Sequence, residues 1–133
     1  MIFLDTSAIY ALADRNDVRH AVAKKSFHLL LEDGRQLLTH NYVVLESMAL
    51  LQHRLGVRVA LEFARDSWHF EIEWVDQTIH REAVGRLSRR TKGKVSLVDQ
   101  VSFLVMRSRG VDTALAFDTD FLDEGFRLYS VTG

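Results

Sequence analysis

Met1-Ile2-Phe3-Leu4-Asp5-Thr6-Ser7-Ala8-Ile9-Tyr10-Ala11-Leu12-Ala13 opens the chain, and its two halves follow different patterns. Ile2 to Leu4 is an unbroken apolar run that stops at an acid, as a short, fully buried strand does. Beyond Asp5, Thr6 or Ser7 can cap a helix carrying Ile9, Tyr10, Leu12 and Ala13. A strand buried on both faces and followed at once by a helix begins a parallel, helix-covered sheet.

The same alternation continues outward. Asp14-Arg15-Asn16-Asp17 is a polar break, and Asp17 is a candidate cap for a second helix ending near Asp33-Gly34. Gln36 to Thr39 reads as a strand. Asn41 can cap a third helix that stops at Gly56, and a fourth spans about Val57 to Ser67. His69 to Val75 alternates through Phe70, Ile72 and Trp74, the pattern of a half-buried strand. Thr78 to Thr91 forms a basic amphipathic helix closed by Lys92-Gly93-Lys94. Ser96 caps an apolar helix ending at Gly110, and Thr113 to Phe117 is a strand stopping at Asp118. Phe121 to Gly125 is a turn and Arg127 to Val131 a last strand. Strands alternating with helices pair in parallel through right-handed crossovers, which predicts one α/β domain over 1–133.

Composition narrows the class. The chain has 133 residues, 47% hydrophobic and 26% charged, as in a globular domain. No apolar run approaches the roughly 20 residues that cross a bilayer, and the N-terminus carries no basic leader. Cysteine is absent, which removes disulfides and thiolate chemistry and fits a reducing cytoplasm. The net charge of -1 offers no global pull on nucleic acid. Charge is nevertheless segregated. Arg81, Arg86, Arg89, Arg90, Lys92 and Lys94 face the single acid Glu82 within one stretch, whereas Asp112 to Glu124 holds five acids and no base.

Four acids stand where acids are unfavourable. Asp5, Glu46, Asp99 and Asp118 each end or interrupt an apolar run, with no basic residue beside them. A carboxylate withdrawn from water needs a partner or a cation. Asp5 and Asp118 follow strands, and the carboxyl ends of parallel strands are where α/β sheets bind ligands. Asp5 can instead be a helix cap, and Asp118 a turn residue in Asp118-Thr119-Asp120. Ser96-Leu97-Val98-Asp99 has the spacing of a capping box, yet Asp99 shares a mostly apolar face with Val95, Ser102, Phe103 and Met106. Glu46 sits in mid-helix beside Tyr42, Val43, Ala49 and Leu50, where no capping role exists.

The six histidines show no paired ligand spacing, and no phosphate-binding glycine loop or serine nucleophile motif is present. The aromatics lie at helix and strand spacing and are assigned to the core. Carboxylates from several elements suit the hard cations Mg²⁺ or Mn²⁺. Two such ions about 3.5–4 Å apart promote phosphodiester hydrolysis.

Phe3-Leu4-Asp5-Thr6-Ser7, Asn41-Tyr42-Val43-Val44-Leu45-Glu46, Ser96-Leu97-Val98-Asp99 and Ala114-Leu115-Ala116-Phe117-Asp118-Thr119-Asp120-Phe121, closing with Glu124-Gly125-Phe126, together resemble the PIN domain family. Within it they resemble the VapC toxins of toxin–antitoxin pairs, over essentially the whole chain. The resemblance implies a three-layer α/β/α sandwich with a mostly parallel central sheet. It implies a metal-dependent endoribonuclease whose ligands are Asp5, Asp99, Glu46 and Asp118, with Asp120 assisting. Ser7 would orient Asp5. The resemblance also implies a homodimer held inactive by a small antitoxin. Arg86, Arg89, Arg90, Lys92 and Lys94 are candidates to hold the RNA backbone on charge alone.

Two other classes compete. A non-catalytic PIN-like module would bind RNA or a partner without cleaving, but it would be free to lose an acid. Receiver domains need an acidic pair after the first strand and a lysine after a late one. Asp5 is followed by Thr6 and Ser7, and no such lysine exists. A haloacid-dehalogenase phosphatase would need motifs downstream of Asp118-Thr119-Asp120, and the chain ends too soon.

Overall fold

Strand β1 (Ile2–Leu4) is fully buried and lies at the centre of a five-stranded sheet. The structure, a computed structural model, describes residues 1–89 and 95–131. In chain order, helices α1 (Thr6–Ala13) and α2 (His20–Glu32) lead to β2 (Leu37–His40). Helices α3 (Asn41–Leu55) and α4 (Val57–Asp66) and a single 3-10 turn precede β3 (Glu71–Glu73). Then come α5 (Gln77–Ser88), α6 (Leu97–Ser108), β4 (Thr113–Leu115), α7 (Asp120–Asp123) and β5 (Arg127–Leu128).

The strand order is β3-β2-β1-β4-β5, and every pairing is parallel. From β1 the chain steps outward to β2 and β3, then returns past β1 to β4 and β5. Right-handed crossovers in opposite directions place their helices on opposite faces. Helices α1 to α4 therefore form one layer and α5 to α7 the other, the α/β/α sandwich expected. The reversal falls between β1 and β4, where a parallel sheet opens a crevice at its carboxyl edge.

Several boundaries differ from the sequence expectation for local reasons. Asp5, not Thr6 or Ser7, caps α1, because its side chain accepts from the Ser7 amide. His40 replaces Asn41 as the cap of α3, while Asn41 Oδ1 accepts from the Val75 amide instead. Asp17 bonds the Arg19 amide two residues on, so it heads a turn and α2 starts later. Strand β3 is only three residues long. Trp74 lies beyond it and is 70% exposed, and Trp68 is 83% exposed, so neither tryptophan is a core residue. The expected turn at residues 121–125 is a short helix, α7, and β5 ends at Leu128. Lys92-Gly93-Lys94 lies outside the described residues.

An aromatic cluster fixes the α6 layer to the sheet. Phe103 and Phe121 meet edge to face at 5.2 Å, and Phe121 also approaches Phe3 at 6.1 Å and lies fully buried. Phe121 belongs to α7, so its burial fixes the acidic segment just before it.

Candidate active site

The carboxyl edge of the sheet gathers the acids. Asp5 follows β1 directly, and its amide extends the ladder by donating to Leu115 O at 3.1 Å. The side chain is only 5% exposed. Its Oδ2 accepts from the Ser7 amide at 3.1 Å and from the Ser7 hydroxyl at 2.6 Å. Ser7 Oγ in turn accepts from the Phe117 amide at 2.9 Å, tying α1 to the segment after β4. Burial pushes the Asp5 carboxyl up to about 6, the Ser7 bonds oppose this, and the charges of Asp99 and Asp118 add to it.

Asp99 serves two roles at once. The capping box is formed: the Asp99 amide donates to Ser96 Oγ, and the Ser96 amide donates to Asp99 Oδ2 at 3.1 Å. The same carboxylate is half-buried against the other acids. Burial first, then Asp118 and Glu46, raise its pKa against the opposing Ser96 bonds. Cap and cluster member are not rival roles, because a carboxylate in the first helical turn has two oxygens and can do both.

Asp118 stands three residues beyond β4, which ends at Leu115 rather than at Phe117. Its Oδ1 accepts from the Asp120 amide at 2.9 Å, shaping the turn into α7. Carboxylate oxygens of Asp99, Asp118 and Asp120 come within 4.8 Å of one another. Glu46, on the second turn of α3, is half-buried and close enough to Asp99 to raise its pKa. Among the described residues, no cation pairs with Asp5, Glu46, Asp99 or Asp118. Asp5, buried, and Asp99, half-buried, both have raised pKa values, and with Glu46 and Asp118 they form an all-oxygen donor set with no cation paired to it among the described residues. That chemistry fits a hard divalent cation.

Of the basic candidates, the structure describes Arg86 and Arg89, and it gives them different surroundings. Arg86 donates to Gln100 Oε1 at 2.9 Å and to Glu124 at 3.1 Å, so its guanidinium ties α5 to α6 and α7. Arg89 is exposed at the end of α5. Arg90, Lys92 and Lys94 lie outside the described residues.

His40, which the sequence left among scattered histidines, is buried at the seam between the two helices that carry Glu46 and Asp99. Its Nδ1 accepts from the Val43 amide, so Nε2 holds the proton and donates to Ser102 Oγ at 2.8 Å. Ser102 donates onward to Val98 O at 3.0 Å. Burial lowers the imidazole pKa to about 3, so the ring is neutral near pH 7. Its place between a buried strand and a helix start was the signal available.

Residues 2–126 match the family model described as PIN domain. The chain belongs to the PIN domain family. Curated relatives within it are the 23S rRNA-specific endonuclease VapC20 of two Mycobacterium tuberculosis strains, CDC 1551 / Oshkosh and H37Rv. Each is 38% identical over 128 residues, covering 95% of both chains. The crystal structure of M. tuberculosis VapC20, described as a Sarcin-Ricin loop cleaving toxin, superposes with a TM-score of 0.84. It is 36% identical and covers 95% of this chain and 96% of that one. This PIN domain is thus of the VapC type.

Proposed function

We propose that this PIN domain is the toxin of a VapBC-type pair, a divalent-metal-dependent endoribonuclease. The observation that carries it is the convergence of Asp5, Glu46, Asp99, Asp118 and Asp120, from four separate segments, on the β1/β4 crevice. Asp5 and Asp99 would hold the principal Mg²⁺ or Mn²⁺, Glu46 would complete that site directly or through water, and Asp118, assisted by Asp120, would form a weaker second one. When bound, the metal neutralises charge at the phosphate and lowers the pKa of the attacking water.

The chain's own part is orientation. Ser7 fixes one oxygen of Asp5, and Ser96 fixes one oxygen of Asp99, so each acid keeps its other oxygen for the site. The His40–Ser102 bond holds the separation of α3 and α6, and with it that of Glu46 and Asp99. Water attack at phosphorus breaks the bond to O3′, leaving a 5′-phosphate and a 3′-hydroxyl. Arg89, Arg90, Lys92 and Lys94 remain proposed contacts to the RNA backbone, whereas Arg86 is assigned to holding Gln100 and Glu124. Large-subunit ribosomal RNA, the substrate named for VapC20, is the first to test.

The antitoxin partner is supported by a groove of about 590 Å³ between α1, α2 and α4. Leu12, Phe27, Val59 and Phe63 line it with apolar surface, and its charged lining is mixed, Arg15, Lys24 and Arg58 against Glu62 and Asp66, with Arg58 3.7 Å from Glu62. Such a groove suits the apolar face of an amphipathic segment. A homodimer is proposed from the family resemblance.

The test is RNA cleavage with Mg²⁺ or Mn²⁺ by the wild type, Asp5→Ala and Asp99→Asn. Cleavage by the wild type alone supports the proposal, and equal cleavage by all three proteins refutes it.

A further inference from the structure

The turn between α1 and α2 is built rather than loose. Tyr10 Oη donates to Asp14 Oδ2 at 2.7 Å, the Asn16 amide to Asp14 Oδ1, and the Arg19 amide to Asp17 Oδ1 at 2.8 Å. His20 Nδ1 bonds Ala11 O at 2.8 Å and closes the turn onto α1. This scaffold carries Arg19 to Phe117, the residue before Asp118, with its guanidinium carbon 5.2 Å from the ring centroid. Phe117 is fixed in turn, because its amide donates to the same Ser7 hydroxyl that bonds Asp5. Arg19, Phe117, Ser7 and Asp5 thus form one connected set of contacts.

The chemistry of this placement is specific. Among the described residues, the Arg19 guanidinium pairs with no carboxylate, although Asp118 follows Phe117 directly in the chain. An arginine that neutralised the acids would compete with a metal for them. Stacked on the Phe117 ring, the guanidinium keeps its charge against the segment that leads into Asp118 and leaves its donors free at an exposed position. A planar fork of N–H groups presented in this way suits a phosphate.

We propose that Arg19, held by Phe117, clamps the RNA phosphate next to the scissile one. The clamp rests on the nuclease function proposed above and adds a substrate-binding residue to it. It also accounts for how a polyanion docks beside a cluster of carboxylates.

The test compares Arg19→Ala, Arg19→Lys, Phe117→Leu and Arg127→Ala. Arg127 is an exposed arginine at the start of β5, on the opposite edge of the sheet, so it controls for net charge. Cleavage of a single-stranded RNA oligonucleotide is measured with Mn²⁺ over a range of salt. Arg19→Ala is expected to raise KM about tenfold or more, as loss of a charge-assisted bond does, with kcat changed little. The slope of log KM against log salt should fall by about 0.7, the value for one lost phosphate contact on a single strand. Arg19→Lys keeps that slope with weaker binding, Phe117→Leu behaves as a partial Arg19→Ala, and Arg127→Ala leaves both unchanged. Equal effects of Arg19→Ala and Arg127→Ala, or an unchanged KM and slope in Arg19→Ala, overturn the clamp.

Equilibrium binding of the same RNA in an Asp99→Asn background reads the clamp without cleavage. A wild type that binds but does not cleave removes the nuclease, while the binding slopes still decide on Arg19. A wild type that neither cleaves nor binds overturns both.

Discussion

Replacing Asp5 by asparagine is expected to stabilise the metal-free protein at pH 7, although it removes a helix cap and a ligand. The carboxyl is raised from 3.8 to about 6 by burial and by the neighbouring acids. At about 1.4 kcal/mol per pKa unit, ionised Asp5 therefore destabilises the metal-free fold by about 3 kcal/mol. Asparagine removes that penalty and can still accept from the Ser7 amide and hydroxyl. The weakened Ser7 bonds are already contained in the net shift, and fitting an amide NH2 group into the buried site returns about 1 kcal/mol. The net gain is about 2 kcal/mol, a rise in Tm of roughly 5–10 °C for a domain of this size. The sign with pH comes from linkage. Between 3.8 and about 6 the folded state binds the proton more tightly than the unfolded chain, so the stability that Asp5 contributes is fully present below 3.8. It is lost as pH rises through 6. Denaturant titrations of wild type and Asp5→Asn in chelator, at intervals from pH 4 to 8, give a difference curve that cancels the other groups. Wild type should lose ground to the variant as pH rises and level off above about 7. With Mn²⁺ the order should reverse, since binding to the native state stabilises by mass action and the variant lacks a ligand. A variant less stable than wild type at pH 7 in chelator, with a flat difference curve, would refute the account.

Asp99→Asn should also raise the metal-free Tm and weaken stabilisation by Mn²⁺, because it too removes a raised carboxyl from the cluster; a loss of about 1 kcal/mol with unchanged metal response would leave only the capping box. Ser7→Ala removes donors to Asp5 and the acceptor for Phe117. It should lower stability by about 1–2 kcal/mol and reduce metal-dependent activity, read by denaturation and cleavage together. His40→Gln should destabilise the protein at neutral pH while flattening its acid limb. The imidazole pKa is depressed from 6.5 to about 3, so its stabilisation is present above 6.5 and lost as pH falls through that window. Equal acid sensitivity of the two proteins would show that His40 is not the group responsible. Phe121→Ala empties the centre of the aromatic cluster and should cost about 3–5 kcal/mol, measured by urea denaturation. Activity should fall as well, since Phe121 positions the Asp118–Asp120 turn.

Much of this protein is carried by local pattern. The unbroken apolar runs at Ile2–Leu4 and Ala114–Phe117, alternating with helical periods, were enough for a parallel α/β sheet, because only strands buried on both faces are written that way. Glu46, Asp99 and Asp118 stood out by the same logic: each interrupts an apolar face, and charge there is unfavourable unless something gathers it. Cap identity was less legible. Asp5, Thr6 and Ser7 are all competent caps, and the choice among them depended on the Phe117 amide engaging Ser7 from more than a hundred residues away. Trp74 continued the alternation of Phe70 and Ile72, but β3 is an edge strand that ends at Glu73, and no layer covers the tryptophan beyond it.

The sequence by itself determined the elements, their order, the parallel sheet and which acids were anomalous, because these depend on periodicity and on the energetics of single side chains. Only the tertiary structure decided that the acids meet and that His40 joins α3 to α6. It alone withdrew Arg86 into a contact with Glu124 and brought Arg19 to Phe117. Each of those depends on the chain reversing its direction across the sheet at β1, which brings segments far apart in sequence to one edge, and no local pattern records which distant side chain will be found there.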